Sequence, residues 1–354
     1  MNAILKRYRF SISAFIVLIA VYLLFRTEGD TALIHEFGGA TMGTSYSIKL
    51  VDEPESVDTA LLVQEVSALL TKLDREVMST YSDTSELTAL NMAETGVALN
   101  LSPEMTEVLA LALDINRQTS GAFDVTIGPL VNRWGFGPTA RQADRVPQQD
   151  EIDEFLTRVG SHFITLDANN RTLRKNAQVY IDLSGIAKGY AVDRVADLFD
   201  SKGFASYFIE VGGELRIKGL KPGQQTWVPA IEKPVDTAPQ VHNIFYANGE
   251  SIAVAGSGDY RNYFDLNGVH YSHEIDPVTG KPVTHNLASV YVITESAARA
   301  DALATAFMVM GAEAGFALAQ SLDLAVYFIT KRAGEEGFDD RYTDRFAEYL
   351  SPKS

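Results

Sequence analysis

Tyr180-Ile181-Asp182-Leu183-Ser184-Gly185-Ile186-Ala187-Lys188-Gly189-Tyr190-Ala191-Val192-Asp193 reads as a strand that turns at a glycine and runs into a helix. At the start of such a helix the first backbone N–H groups lack intrahelical partners, and the helix dipole favours negative charge there. With Lys188 beside them, these amides form a candidate phosphate cradle. The same pattern also suits a packed strand–helix connection whose glycines only permit close approach. This stretch alone does not choose between the two, and the residues around it carry the decision.

Across 354 residues the chain is 46% hydrophobic and 21% charged, the composition of a globular protein with a sizeable core. Its formal net charge of -16 argues against nucleic acid, whose affinity rests on Lys and Arg neutralising phosphates, and against docking on anionic lipid. There is no cysteine, which excludes disulfides, zinc–thiolate sites and iron–sulfur clusters. A metal here is held by oxygen or imidazole.

Lys6, Arg7 and Arg9 precede an apolar run from Phe10 to Phe25, followed by Arg26 and polar sequence. A basic flank before a terminal apolar run is an export signal, and no small-x-small cleavage site follows it. Residues 1–27 are therefore expected to be an uncleaved anchor in the inner membrane, with 28–36 a linker and 37–350 one domain in the periplasm. If the signal is cleaved, the domain is periplasmic and free.

Ala40 to Val51 reads as a strand, and Val57 to Met78 carries Leu61, Leu62, Val66, Leu69, Leu70 and Leu73 at helical spacing. Pro103 to Thr119 is predicted as a helix capped by Ser102. Gly121 to Pro147 reads as a long loop, of the length that usually serves function. After a predicted helix over Gln149–Val159 come β-rich runs with turn signals at Asn169-Asn170, Asn248-Gly249 and Asn267-Gly268. Ser296 to Ala319 returns to helix with a break near Gly311, and Leu322 to Thr330 reads as a closing strand. The fold class that follows is α+β, mostly antiparallel sheets covered by helices.

Several constellations carry chemistry. Asp301 and Thr305, four apart on the late helix, put a carboxylate and a hydroxyl on one face. That suits a hard cation such as Mg²⁺, which takes oxygen ligands and completes its shell with water and substrate phosphate; a dipole-favoured Asp with a back-bonded Thr accounts for the same pair. Tyr271 to Pro282 places His273 beside Glu274 and Asp276, where an imidazole takes a proton near neutral pH or simply satisfies a carbonyl. Ala253 to Asn262 ends a strand in a loop where Ser257 offers a ligand contact, unless it is a plain hairpin turn. Val211-Gly212-Gly213-Glu214-Leu215 marks a bulge or a backbone packed against something large. No Gly-x-Ser-x-Gly elbow, Walker loop or paired metal-binding histidines occur.

Taken in order, Thr41-Met42-Gly43-Thr44, Ser79-Thr80-Tyr81, Gly121 to Leu130, Trp134-Gly135-Phe136-Gly137, Asp182 to Asp193, Val211 to Leu215, Gly256 to Asn262, His273 to Gly280 and Ala300 to Ala306 resemble the ApbE-like family. The resemblance runs from about Phe37 to Ile329. It implies a T-fold-related architecture and an extracytoplasmic FAD:protein FMN transferase, which splits FAD at its pyrophosphate, links FMN to a Thr or Ser hydroxyl and releases AMP. Implied acceptors are flavoprotein subunits of membrane redox complexes, such as the sodium-pumping NADH:quinone reductase.

Carried over by position, the resemblance implies that Met42, Tyr81, Ala122, Phe123, Asp124, Asp182, Lys188 and Ile275 line the FAD site, and that Mg²⁺ sits on Asp301, Thr305 and the Gly185 carbonyl. This chain departs from some members at Ala304, where they carry a second carboxylate, and at Lys188, where they carry Glu. The residue chemistry suits phosphoryl transfer by positioning and charge neutralisation, with Asp301 and Lys188 at the phosphates and His273 as base. An FAD pyrophosphatase that uses water, and a flavin-binding protein without turnover, draw on the same residues.

Overall fold

The computed structural model describes residues 33–52, 58–137, 146–260, 262–334 and 336–353; the apolar run expected as an anchor lies outside them. The chain enters as a hairpin of β1 (Leu33–Thr41) and β2 (Thr44–Asp52), turning at Met42-Gly43 with positive φ at both residues. The single strand expected over Ala40–Val51 is thus two, because a two-residue turn with left-handed backbone needs little sequence to announce it. Leu33 to Glu36, expected as the end of a linker, pair with Lys49 to Asp52.

Next comes α1 (Thr59–Thr71), capped by Asp58, which runs on through a wider π turn at Lys72–Met78 and buries Leu62, Val66, Leu70 and Leu73. After α2 (Glu86–Met92) and β3 (Ala98–Asn100), α3 (Pro103–Gln118) begins as its sequence predicts, with Ser102 Oγ accepting the Met105 N–H. The region after Gly121 is less of a loop than expected: it contains α4 (Gly128–Trp134), ended by Gly135 at φ 85°. Then follow α5 (Gln149–Leu156), β4 (Ile164–Asp167) and β5 (Thr172–Lys175), and β3, β5 and β4 form a small antiparallel sheet.

The segment Tyr180–Leu183, expected as a strand, belongs to no sheet. A side chain stands in for the missing partner strand. Asn91 on α2 donates its amide to the Ile181 carbonyl at 2.9 Å and accepts the Ile181 N–H at 2.7 Å, satisfying a buried backbone that would otherwise be costly. Asp182 N–H adds a bond to the Val125 carbonyl at 2.7 Å. The chain then turns at Ser184–Ile186 into α6 (Ala187–Ser201).

β6 (Ser206–Val211) and β7 (Glu214–Gly219) form a hairpin whose turn is Gly212-Gly213, φ 60° and 105°. Of the two readings of this pair, the bulge gives way to a two-residue turn with left-handed backbone, which glycine enters most readily. A Cβ on Gly212 would meet Thr44 Cγ2 at 2.8 Å and Lys188 Cδ at 3.1 Å, so its backbone is closely packed. β8 (Ala230–Glu232) and β9 (Val241–Ile244) make a ribbon, and β10 (Gly249–Gly258) is a main-sheet strand through Gly258. Gly256, Ser257 and Gly258, expected in a loop, pair with Tyr291, Val290 and Ser289. A second ribbon, β11 (Tyr263–Leu266) and β12 (Val269–Ser272), turns at Asn267-Gly268. The chain closes with β13 (Leu287–Thr294), α7 (Ala297–Ser321), β14 (Ala325–Lys331), β15 (Phe338–Tyr342) and α8 (Asp344–Ala347).

The main sheet has eight antiparallel strands in the order β1-β2-β6-β7-β10-β13-β14-β15. The strand expected to close the sheet, β14, is covered on its outer edge by β15. An α+β arrangement of antiparallel sheets covered by helices is what forms. One face buries Ile48, Leu50, Ile209 and Val290 against α1, α6 and α7, and the other buries Trp227, Phe245, Tyr327 and Phe346. α7 is long and apolar enough to cross a membrane, yet it packs on β10, β13 and α6 within the body. Its expected break at Gly311 has φ 77°, and His285 Nε2 donates to the Met308 carbonyl beside it at 2.7 Å.

Candidate active site

α6 and α7 begin against each other, and each supplies a carboxylate to the other. Asp193 on α6 accepts from the Ala297 N–H at 2.8 Å, the Ala298 N–H at 3.0 Å and the Ser296 hydroxyl at 2.7 Å, capping α7. Asp301 on α7 accepts in return from the Gly189 N–H near the start of α6, 3.1 Å from its Oδ2. Gly189 makes the approach possible, since a Cβ there would lie 2.2 Å from the Ala297 carbonyl oxygen. One of the amides expected to face phosphate is thus already bonded to Asp301.

The reciprocal capping fixes Asp301, which is 3% exposed, with Oδ1 facing Lys188 Nζ at 3.9 Å. Thr305 is one turn further on, beside Gly185: a Cβ on that glycine would be 3.1 Å from Thr305 Oγ1. Gly185, Asp301 and Thr305 line one cavity. Carboxylate, hydroxyl and nearby backbone carbonyl form an oxygen-only donor set that fits a hard divalent cation. Among the described residues no three His, Asp or Glu side chains converge as a ready-made cage, so such a site would be completed by water and substrate.

Lys188 Nζ donates to Glu214 Oε1 at 2.6 Å. The Gly212-Gly213 turn delivers Glu214 there, at 2% exposure. Of three buried carboxylates on this cavity, Glu214 contacts the ammonium, Asp301 faces it at 3.9 Å and Glu274 lines the same wall. Burial pushes the Glu214 carboxyl up to about 8, with Lys188 partly opposing it. Burial raises Asp301 and Glu274 as well. For Lys188 burial works against the charge, but Asp301 and Glu214 outweigh it and hold the ammonium above its ordinary value. The excess of buried carboxylates is the electrostatic complement of a divalent cation.

His273 follows β12 and lines the same cavity, its Nε2 3.5 Å from Glu274 Oε1 and its ring edge-on to Phe136 at 6.2 Å. Of its two sequence neighbours, only Glu274 faces it; Asp276 is used within its own turn, accepting from the Val278 N–H and the Thr279 hydroxyl. Ala122, Phe123, Asp124, Asp182, Ser257 and Ile275 line this cavity too. The Asp124 carboxylate accepts from the Thr126 N–H and hydroxyl, the Ser161 N–H and hydroxyl, and Asn116 Nδ2. It therefore shapes the loop that carries Phe123 and has few lone pairs left for a ligand.

Met42 and Tyr81 lie apart from these, in a second cavity with Asp74, Ser79 and Thr80. The cavities hold about 480 and 490 Å³, and Asp182, Ser184 and Lys188 line both. These three residues, just before and at the start of α6, form a wall, or ridge, common to the two chambers. Sequence reasoning left Glu214 and Phe136 without a role and gave Glu274 none beyond neighbouring His273. The Gly-Gly pair before Glu214 was the available signal, since a tight turn aims the next side chain.

Comparison with known proteins identifies relatives. The model of the ApbE family matches residues 42–328. The FAD:protein FMN transferase of Vibrio cholerae serotype O1 is 41% identical over 337 residues, covering 95% of this chain and 98% of that protein. The Haemophilus influenzae FAD:protein FMN transferase is 37% identical, covering 97% of this chain and 99% of its own length. Among solved structures, the flavin transferase ApbE from Vibrio cholerae superposes with a TM-score of 0.82 at 40% identity, covering 90% of this chain and all of that one.

Proposed function

The chain belongs to the ApbE family and transfers FMN from FAD to protein; from that premise we propose that it does so with Mg²⁺ held by Asp301, Thr305 and the Gly185 carbonyl. The observation that carries this reading is the convergence of Asp301, Thr305, Gly185, Lys188 and His273 on one cavity beside an excess of buried carboxylates. When bound, the cation would neutralise charge on the phosphate oxygens.

This chain's own residues do the rest. Lys188, on the ridge between chambers, faces the diphosphate of an FAD that spans both. Met42 and Tyr81 offer surface to one end of the dinucleotide, and Ala122, Phe123 and Ile275 to the other. His273 takes the proton of the acceptor Thr or Ser hydroxyl as its oxygen bonds to the FMN phosphorus. The bond from that phosphorus to the bridging oxygen breaks, and AMP leaves with the oxygen. Transfer geometry contributes through in-line positioning.

The acceptor is a flavoprotein subunit of a membrane redox complex, of which the sodium-pumping NADH:quinone reductase is one kind. The protein works from the periplasmic face of the inner membrane, tethered by residues 1–27, a reading supported by their basic flank and apolar run. The test incubates the full chain with FAD, Mg²⁺ and an acceptor bearing a flavinylation threonine, and follows in-gel flavin fluorescence together with AMP. Covalent flavin that appears with AMP and disappears in EDTA is expected. AMP formed at the same rate without acceptor, and no flavin on protein, would overturn transfer in favour of hydrolysis.

A further inference from the structure

The Lys188 ammonium stands between two buried carboxylates, 2.6 Å from Glu214 Oε1 and 3.9 Å from Asp301 Oδ1. Asp301 Oδ2 already accepts the Gly189 N–H, so Oδ1 is the oxygen left for a cation. An ammonium in contact with Oδ1 would shut a metal ion out, both by occupying the position and by repulsion. The bond to Glu214 holds it back. Glu214 has little freedom to do otherwise, being 2% exposed and set directly after the Gly212-Gly213 turn. A Cβ on Gly212 would come within 3.1 Å of Lys188 Cδ, so the turn itself packs on the lysine stem.

Resting on the functional reading above, we infer that Glu214 is a positioning residue that holds the Lys188 ammonium clear of Asp301, keeping the metal carboxylate open to Mg²⁺. Without Glu214 the ammonium closes on Asp301 from 3.9 Å to contact. By Coulomb's law at an effective dielectric of ~20 and a contact distance of ~2.8 Å, that closure weakens cation binding about tenfold to twentyfold. The same ammonium then leaves its place on the ridge, so the diphosphate loses it too.

The experiment titrates the full chain, free of FAD, with magnesium chloride by isothermal titration calorimetry. Glu214→Ala is expected to weaken Mg²⁺ binding about tenfold to twentyfold, and Glu214→Gln to weaken it less, since the amide oxygen still accepts from Lys188. In a Lys188→Met background the same substitutions should weaken Mg²⁺ binding clearly less, and Glu214→Ala and Glu214→Gln should agree within about twofold, because only the loss of one nearby carboxylate charge remains once the competing ammonium is gone. Transfer by Glu214→Ala should recover part of its rate as Mg²⁺ is raised.

Wild-type Mg²⁺ affinity in both Glu214 variants would overturn the inference. So would a loss that persists in full in the Lys188→Met background, which would make Glu214 a support of the fold or a direct partner of the metal. Glu214→Gln preserves shape and carries the test if the alanine variant fails to fold. A wild-type chain that takes up no Mg²⁺ and transfers flavin in EDTA would instead defeat the functional reading, and this inference with it.

Discussion

A methyl group added at Gly189 would sit 2.2 Å from the Ala297 carbonyl oxygen and 2.7 Å from the Ala298 nitrogen. Both are backbone atoms at a capped helix start, so no rotamer change relieves them. The start of α7 must retreat by about 1 Å to reach ordinary contact distance. Alanine gains ~1 kcal/mol over glycine within a helix, whereas overpacking costs ~1–3 kcal/mol. With backbone on both sides the upper end applies, and Gly189→Ala should lose a net ~2 kcal/mol of stability. The effect on catalysis is larger, because Asp301 rides on α7 and accepts the Gly189 N–H. Moving a reacting group by about 1 Å costs on the order of 100-fold in rate. Transfer should therefore fall about 100-fold by in-gel flavin fluorescence, while FAD binding, read by flavin fluorescence quenching, changes only a few-fold. A Gly189→Ala protein with wild-type transfer and unfolding midpoint would refute the idea that this crossing sets the metal carboxylate.

Asp301→Ala should abolish transfer and leave FAD binding largely intact; unchanged transfer would remove Asp301 from the metal site. His273→Ala should lower kcat more than it raises the KM for FAD, and a change confined to KM would make His273 a binding residue. Asn91→Leu strands a buried N–H and carbonyl of Ile181 and should cost ~2–4 kcal/mol in denaturant unfolding; a loss below ~1 kcal/mol would show that the segment finds other partners. In metal-free protein the Glu214 carboxyl is raised to about 8 by burial, so the native state keeps a proton that the unfolded chain releases near the ordinary glutamate value. Its contribution to stability therefore falls as pH rises from ~4.5 to ~8. Glu214→Gln should flatten that fall when unfolding midpoints are measured across this range in EDTA, and an unaltered slope would assign the pH dependence elsewhere.

Local signals in this chain were readable where the physics was local. Ser102-Pro103 starts a helix because cap and first-turn proline act within four residues, and Asn267-Gly268 turns a ribbon because both residues enter left-handed backbone. Asp301 and Thr305 shared a face by helical spacing alone. What escaped depends on partners distant in sequence. Tyr180–Leu183 carries strand-like residues, but its pairing comes from the side chain of Asn91, 90 positions away from Ile181. Asp193 gave no sign that it caps a helix more than a hundred residues later. Asp124 looked available to a ligand until its loop folded around it. The division into two chambers depends on where α6 begins relative to the β1–β2 turn, and no stretch of sequence contains both.

With FAD lying across both chambers as proposed, the ridge they share would also govern what happens after the bond is cut. A dinucleotide lying across Asp182, Ser184 and Lys188 would be gripped at both ends, each grip raising the local concentration of the other end, a chelate gain of about 10²–10⁴. Cleavage at the ridge removes that gain at once. Each fragment is then held by its own chamber alone, and the half bonded to a large acceptor departs with it. On the proposed placement, the partition that strengthens hold on the intact dinucleotide would weaken hold on its products, and the chemical step itself would trigger release.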